Sequence, residues 1–358
     1  MRITFVFHTI GKYGGAEKVV ASLCNQFASM GHDVTLVTLN PAKEAIFEMD
    51  PRVVLRHAQT KTRLPLWKTV ARFFRLKKAV KESAPDIMIS FLTFVNITST
   101  LIARLLRVPI VISERSDPHR SAENAAARIF RPIVYPLASG YVFQTEQARQ
   151  FFSKRIQKKA TIISNPVLCS VPAQDALTRK DIVVVGRMIP VKNQQLAVQA
   201  FSDFSKTCPG YRLHFLGNGP LEEELKRLAQ ELGVEQSVVF HGFQKDVVEQ
   251  IKGAGMFLLT SNAEGMPNAL MEAMVLGIPC ISTDCPCGGP ASLIEQGKSG
   301  FLVPKNDREQ LAACMRRIAQ DEALAQSMAQ AAAEGMQRYS LENIANEWIT
   351  YLKKILAR

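Results

Sequence analysis

The chain has no apolar run of the roughly 20 residues that a membrane-spanning helix needs, so a transmembrane helix is excluded. The opening residues Met1-Arg2-Ile3-Thr4-Phe5-Val6-Phe7 are too short and too soon interrupted for a secretory signal, and they read as a first strand. Seven cysteines, an odd number scattered over 358 residues, suggest reduced thiols in a cytosol rather than a disulfide framework. Cys285-Pro286-Cys287 has no matching second pair, which argues against a zinc site. The turn after the first strand lacks Gly-x-Gly-x-x-Gly, which argues against a dinucleotide-binding fingerprint there. No short-period internal repeat is present.

What is there fits a globular protein of more than one domain. Hydrophobic residues make up 47% of the 358 and aromatics 8%, enough for sizeable cores in two domains. The net charge of +12 is uneven. Residues 1–170 hold 25 Lys and Arg against 11 Asp and Glu, and the remainder holds 19 against 21, so the positive excess lies in the N-terminal half. Residues 51–84 alone carry ten basic side chains, Lys61 and Arg63 among them, and one acid, Glu82.

Strands and helices alternate along the chain. The first half reads as strand Ile3–Phe7, a Gly-rich turn, helix Ala16–Met30 ended by Gly31, strand Val34–Leu39, a basic helix Leu66–Ser83, strand Ile87–Phe91, helix Val95–Leu106, strand Ile110–Ser113 and strand Tyr141–Phe143. This is the pattern of a doubly wound parallel α/β sheet. Pro166, Pro172 and a loss of apolar periodicity mark a boundary near 165–179. The alternation restarts at Ile182–Val185 and continues through Arg212–Leu216, Val238–His241, Met256–Leu259 and Pro279–Ser282. Residues 319–336 read as an Ala- and Gln-rich helix, and Leu341–Leu356 as a last amphipathic one. The expected domains are 1–170, 180–338 and a C-terminal helix over 339–358.

The most informative stretch runs from Glu264 to Glu272. It follows the apolar strand Met256–Leu259 and opens a helix over Asn268–Leu276 that Gly277 ends. Gly265 and Pro267 predict a tight turn at the helix start, where proline forgoes no hydrogen bond. The amides of that first turn suit an anion or polar ligand. The second glutamate lies about two turns on along the helix, so two carboxylates can hold two ends of one ligand. Glu272 between apolar Met271 and Ala273 calls for a buried partner.

This Glu-x7-Glu element resembles the signature of the family 4 retaining glycosyltransferases, which have the GT-B fold of two Rossmann-like domains. Three further marks fall in that family's order: Gly14-Gly15-Ala16-Glu17 after the first strand, Gly186-Arg187-Met188 with Lys192-Asn193, and Gly217-Asn218-Gly219-Pro220, with Asn where the family has Asp. The resemblance spans nearly the whole chain. It implies that Arg187 and Lys192 bind the diphosphate of a nucleotide sugar, that Glu264 and the backbone of Gly265, Met266, Pro267 and Asn268 meet the sugar, and that Glu272 takes the ribose hydroxyls. Gly14, Gly15, Gly186, Gly242 and Phe243 complete the implied donor-binding set. Many members carry a His near Ser113-Glu114-Arg115-Ser116-Asp117-Pro118-His119; Arg115 holds the aligned place here, and Glu114, Arg115 and His119 all stand as donor-contacting candidates. Asp284-Cys285-Pro286-Cys287-Gly288-Gly289-Pro290 reads as a structural turn at the rim of the site, its glycines permitting close backbone approach.

No Asp-x-Asp occurs in the chain. A metal that neutralises diphosphate in many other transferases has no obvious ligands, and Arg187 with Lys192 would take that task. The resemblance implies a retaining transferase that needs no protein nucleophile, and with no Asp-x-Asp the expectation is that it needs no metal or cofactor. The resemblance further implies transfer of a hexose or N-acetylhexosamine from a UDP-sugar to a polyprenyl-diphosphate-linked oligosaccharide, as in bacterial exopolysaccharide and O-antigen assembly. Another GT-B enzyme such as an epimerase, and a non-catalytic membrane- or nucleic-acid-binding protein, are the rival readings. The basic helix interleaves Trp67, Phe73 and Phe74 with Lys68, Arg72, Arg75, Lys77, Lys78 and Lys81. A solvated face, a nucleic-acid surface and an anionic-membrane surface all fit that pattern. The resemblance favours the membrane, with the protein peripheral on the cytoplasmic face and no nucleic-acid partner.

Overall fold

The computed structural model describes residues 1–11, 14–42, 47–60, 65–119, 125–169 and 180–358. Lys61, Arg63 and Pro172 lie outside the described residues, as does most of the expected boundary segment. The chain forms two compact units, the first of Met1–Pro166 with Leu341–Arg358 and the second of Val167–Ser340.

In the first unit seven strands form one parallel sheet. They are β1 (Arg2–Phe7), β2 (Asp33–Thr38), β3 (Val54–His57), β4 (Ile87–Phe91), β5 (Ile110–Ser113), β6 (Gly140–Phe143) and β7 (Ala160–Ile162), in the order β3-β2-β1-β4-β5-β6-β7. Ile3 of β1 sits opposite Val34 on one side and Ile87 on the other. The central strands are buried along their length, as apolar runs covered on both faces must be. The edges β3 and β7 are partly exposed, and the sequence reading missed both.

Helix Gly15–Ser29 turns Val19, Val20, Leu23, Cys24 and Phe27 inward and packs against the last helix, Leu341–Leu356. That last helix belongs to the first unit because its apolar stripe is the unit's core. Trp348 is fully buried, 5.9 Å from the ring of Phe91. The Tyr351 hydroxyl donates to the Lys159 carbonyl at 2.5 Å and accepts from the Tyr141 amide at 2.9 Å. A Cβ at Gly140 would press on that hydroxyl and on Ile355, so a larger residue at the β6 start would have to displace side chains of the last helix. Helices Pro65–Ser83, Thr93–Leu106 and Ala125–Val134 pack side by side in a second layer.

In the second unit six parallel strands form the sheet: β8 (Asp181–Val185), β9 (Arg212–Leu216), β10 (Val238–Phe240), β11 (Met256–Leu259), β12 (Cys280–Thr283) and β13 (Phe301–Val303), in the order β10-β9-β8-β11-β12-β13. Phe201, Phe204, Phe215, Met256, Leu258 and Met315 anchor one core. The single helix read over 319–336 is corrected. Asp321 leaves helical geometry and its carboxylate caps the Leu324 amide at 2.9 Å, dividing Arg308–Gln320 from Glu322–Met336.

Strand order reverses between β8 and β11. In open α/β sheets the loops leaving the carboxyl ends of such a pair flank a ligand crevice.

Candidate functional site

The loops after β8 and β11 carry most of the residues singled out in the sequence. The β8 loop is held from two sides. On one side the Gly217–Pro220 turn lies against it: the Met188 amide donates to the Asn218 carbonyl at 2.9 Å and the Leu221 amide to the Met188 carbonyl at 3.2 Å. A Cβ at Gly217 would collide with the Gly186 carbonyl, and one at Gly219 with that of Met188. Those two glycines are required by this approach. On the other side the Asn262 amide donates to the Val191 carbonyl at 2.8 Å and the Thr260 hydroxyl to the Lys192 carbonyl at 3.1 Å.

This clamp brings together two side chains 72 positions apart. Lys192 Nζ donates to Glu264 Oε1 at 2.6 Å. Ser261 Oγ donates to the same oxygen at 2.6 Å. The Glu264 side chain is only 12% exposed and that of Lys192 25%. The pair is therefore partly desolvated, where charge-assisted bonds are strong. Arg187, on the same loop, is exposed and its carbonyl accepts from Gln194 at 2.9 Å.

Gly265 and Pro267 do break the chain as the sequence suggests, and the helix begins at Asn268. Its ladder starts with the Met271 amide on the Pro267 carbonyl at 3.1 Å, so the Ala269 and Leu270 amides precede it. Gly277, at φ +65°, ends it with the Ile278 amide on the Ala273 carbonyl and the Gly277 amide on that of Met274, a Schellman closure. One expectation is corrected: Glu264 stands in the loop, so only about one helical turn, not two, separates the helix start from Glu272. Glu272 itself is half-buried, because its helix turns Leu270, Met271, Ala273 and Met274 to the core and leaves position 272 to the side.

Sequence reasoning missed Ser261, although Thr260-Ser261-Asn262 is a polar cluster directly after an apolar strand. Gly289 acts more strictly than expected. A Cβ there would strike the Gly265 carbonyl and press on Pro267, so the 284–290 turn locks the glutamate loop. Cys285 beneath it is buried, and burial and the nearby Glu264 carboxylate push its thiol up to about 12, leaving it inert as a nucleophile. Gly242 adopts φ +66° and accepts from the Gly217 amide at 2.8 Å, tying its loop to the same turn, with Phe243 50% exposed beside it.

The remaining candidates lie in the first unit. Gly14 caps helix Gly15–Ser29, and the Glu17 carboxylate folds back over it, where a Cβ would have to push that side chain aside. Glu114, at the end of β5, is buried. It accepts from Thr93 Oγ1 at 3.2 Å and from the Tyr135 hydroxyl. Asn96 joins the group by donating to the Tyr135 hydroxyl at 3.3 Å; it also donates to the Ser113 carbonyl at 3.0 Å and accepts from Ser90 Oγ at 2.7 Å. Burial raises the Glu114 carboxyl above its usual range against the pull of these donors. Its carboxylate thus serves an internal polar network.

Arg115 lies over the rings of Phe91 at 5.0 Å and Trp348 at 5.6 Å and donates to Asn165 Oδ1 at 2.8 Å. Its Nε and Nη2 find no acceptor among the described residues, and burial pushes its pKa down to about 9. His119 is exposed, its Nδ1 3.1 Å from Asp117. On the basic helix, Trp67, Lys68, Phe74, Arg75 and Lys78 are exposed, while Arg72, Phe73 and Lys77 are half-buried and Arg72 bonds Asn40 at 3.3 Å. Among the described residues no group of three or more His, Cys, Asp or Glu gathers as a metal site, and no helix is long and apolar enough to cross a membrane.

Two family models match, and together they cover most of the chain. Residues 13–170 match "Glycosyltransferase Family 4" and residues 172–335 match "Glycosyl transferases group 1". The chain belongs to the family 4 glycosyltransferases. It is 28% identical over its whole length to an exopolysaccharide phosphotransferase of Streptomyces coelicolor, of which it spans only 41%. It is 25% identical, over 99% of both chains, to an α-1,4-N-acetylgalactosaminyltransferase of Campylobacter jejuni named for a diphospho-undecaprenol-linked glycan. The Anabaena protein HepE, solved with UDP, superposes with a TM-score of 0.84 over 99% of this chain and 100% of its own, at 17% identity. The fold is GT-B, and the protein is a glycosyltransferase.

Proposed function

We propose that this transferase moves a hexose or N-acetylhexosamine from a UDP-sugar to the end of a lipid-linked oligosaccharide, with retention of the anomeric configuration and without a metal ion. The observation that carries the reading is the Lys192–Glu264–Ser261 cluster at the β8–β11 reversal, beside the first turn of helix Asn268–Val275. The relatives support donor and acceptor: the Anabaena structure is a UDP complex, and the Campylobacter enzyme is named for a polyprenyl-diphosphate substrate.

In the reaction the bond from the sugar's anomeric carbon to the diphosphate oxygen breaks. An acceptor hydroxyl oxygen bonds to that carbon from the same face, and its proton passes to a diphosphate oxygen. UDP leaves with the growing charge. Lys192 and Arg187 supply fixed positive charge where it develops. In the free protein Glu264 holds the Lys192 ammonium, so donor binding hands that cation from a carboxylate to the diphosphate. Ser261 keeps Glu264 aimed, and the freed carboxylate faces the sugar hydroxyls. Glu272, half-exposed a turn into the helix, accepts from the ribose. The anionic face of a membrane, where a lipid-linked acceptor resides, is the proposed place of action.

The test is a panel of UDP-, GDP- and ADP-sugars in EDTA, read as thermal stabilisation and slow donor hydrolysis. One UDP-sugar stabilises the wild type, and Glu272→Ala removes the effect. Stabilisation only by GDP- or ADP-sugars sinks the UDP assignment, and a strict need for divalent metal sinks the metal-free mechanism.

A further inference from the structure

Helix Ala125–Val134 is turned inside out. Its buried positions are Ala127 and Val134, while Ile129, Phe130 and Ile133 stand 60%, 51% and 63% exposed. With Ala126 they follow the i, i+3, i+4, i+7 spacing of a stripe that a surface helix ordinarily turns to its core. What faces inward instead is Arg131, over the rings of Phe151 at 4.8 Å and Phe152 at 5.6 Å, with Nη1 on the Pro118 carbonyl at 2.8 Å. The arginine anchors the helix so that its apolar stripe points away from the unit.

The neighbouring helices continue the pattern. Thr93–Leu106 exposes Phe94, Leu101 and Leu105, and the start of Pro65–Ser83 exposes Trp67, Val70 and Phe74. Single exposed apolar side chains are ordinary, but nine large ones on three helices packed side by side call for an occupant. The charge says which. These three helices carry nine Lys and Arg and one acid, Glu82, which is paired with Arg56 at 2.8 Å. Exposed Lys68, Arg75, Lys78, Arg104 and Arg128 flank the apolar stripes. An anionic bilayer matches both features, with apolar side chains in the acyl boundary and basic ones among the headgroups.

We propose that the outer face of helices Ala125–Val134, Thr93–Leu106 and Pro65–Ser83 inserts into an anionic lipid surface. The centre of that surface is Ile129, Phe130 and Ile133, not the basic helix on which the sequence pattern focused. Its purpose rests on the lipid-linked acceptor proposed above.

The chain's two tryptophans make the test direct. Trp348 is fully buried and Trp67 is 65% exposed, so a vesicle-induced change in tryptophan emission reports Trp67. With the full chain and phosphatidylglycerol–phosphatidylcholine vesicles, emission shifts to the blue, brominated lipid quenches it, and part of the binding survives high salt. Ile129→Ser/Phe130→Ser/Ile133→Ser lowers vesicle partitioning at least about tenfold with an unchanged melting temperature. The proposal is overturned by wild-type partitioning of the triple variant, or by binding that high salt abolishes entirely. A wild-type dimer that the triple variant makes monomeric, without vesicle binding, also overturns it and makes the face a contact between copies. Thermal stabilisation by UDP-sugar is read on the same samples. Its survival alongside failed vesicle binding faults the surface alone, and its absence alongside intact binding faults the UDP-sugar reading alone.

Discussion

The first and second units are each built on an all-parallel sheet whose strand order reverses after three strands, yet they carry different charge and different kinds of interior polarity. The first holds 28 Lys and Arg against 13 Asp and Glu, the second 16 against 19. At the carboxyl ends of its strands the first unit buries a hydrogen-bonded acid, Glu114, and a guanidinium stacked on Phe91 and Trp348. At the same end of its sheet the second holds a partly open Lys192–Glu264 pair on loops locked backbone to backbone. One fold offers the same crevice twice, and the loops decide whether it becomes internal structure or a place for a charged ligand.

Trp348→Ala should break the first unit most. Deleting a fully buried tryptophan costs about 3–5 kcal/mol, and here it also uncovers one face of the Arg115 guanidinium. Calorimetry should show the transition of the first unit falling while that of the second holds, since two units need not melt together. Equal falls in both would mean that the division does not govern stability.

Lys192→Ala should do the converse. Melting should fall only modestly, because the Glu264 carboxylate, 12% exposed, loses its cation but keeps its Ser261 bond. Turnover of the donor should drop about 10²–10³-fold, the usual loss when one fixed stabiliser of developing charge is removed. A variant that keeps full turnover would remove the pair from the mechanism.

Gly289→Ala tests the lock on the glutamate loop. Its new methyl meets the Gly265 carbonyl, a backbone atom that cannot swing aside, so overpacking should cost about 1–3 kcal/mol and weaken UDP-sugar binding with it. Gly335→Ala is the control. It lies in helix Glu322–Met336 with nothing within 4 Å, and it should stabilise by about 0.5–1 kcal/mol.

What the sequence revealed follows burial. Ile182–Val185 and Met256–Leu259 are central strands covered on both faces, so they appear as unbroken apolar runs. Val54–His57 and Ala160–Ile162 are sheet edges of mixed exposure, and their polar residues hide them. Helix Ala125–Val134 escaped because Pro132 interrupts it and its apolar stripe faces outward. The Glu264 loop was legible from its Gly and Pro and from family resemblance. Its bond to Lys192 was not, because only the β8–β11 pairing brings positions 72 apart together. The inward turn of Glu114 was equally hidden, since Thr93 and Tyr135, each 21 residues away, decide it.

The smallest effect separates the units by the sign of a pH response. Burial raises the Glu114 carboxyl above its usual 4.5. The folded first unit therefore binds this proton more readily than the unfolded chain, and the group's contribution grows as pH falls through its folded pKa toward 4.5. Burial lowers His214 in the second unit below its usual 6.5, against the upward pull of Asp181 at 3.1 Å. There the unfolded chain takes the proton first, so stability is full above 6.5 and is lost as pH falls through that value toward the folded pKa. Each slope is at most about 1.4 kcal/mol per pH unit. Melting curves of Glu114→Gln and His214→Gln against the wild type, between pH 7 and pH 5, isolate the two terms. Glu114→Gln should remove a gain on acidification from the first transition and His214→Gln a loss from the second, and the same sign in both would show that burial of these two groups does not set the response.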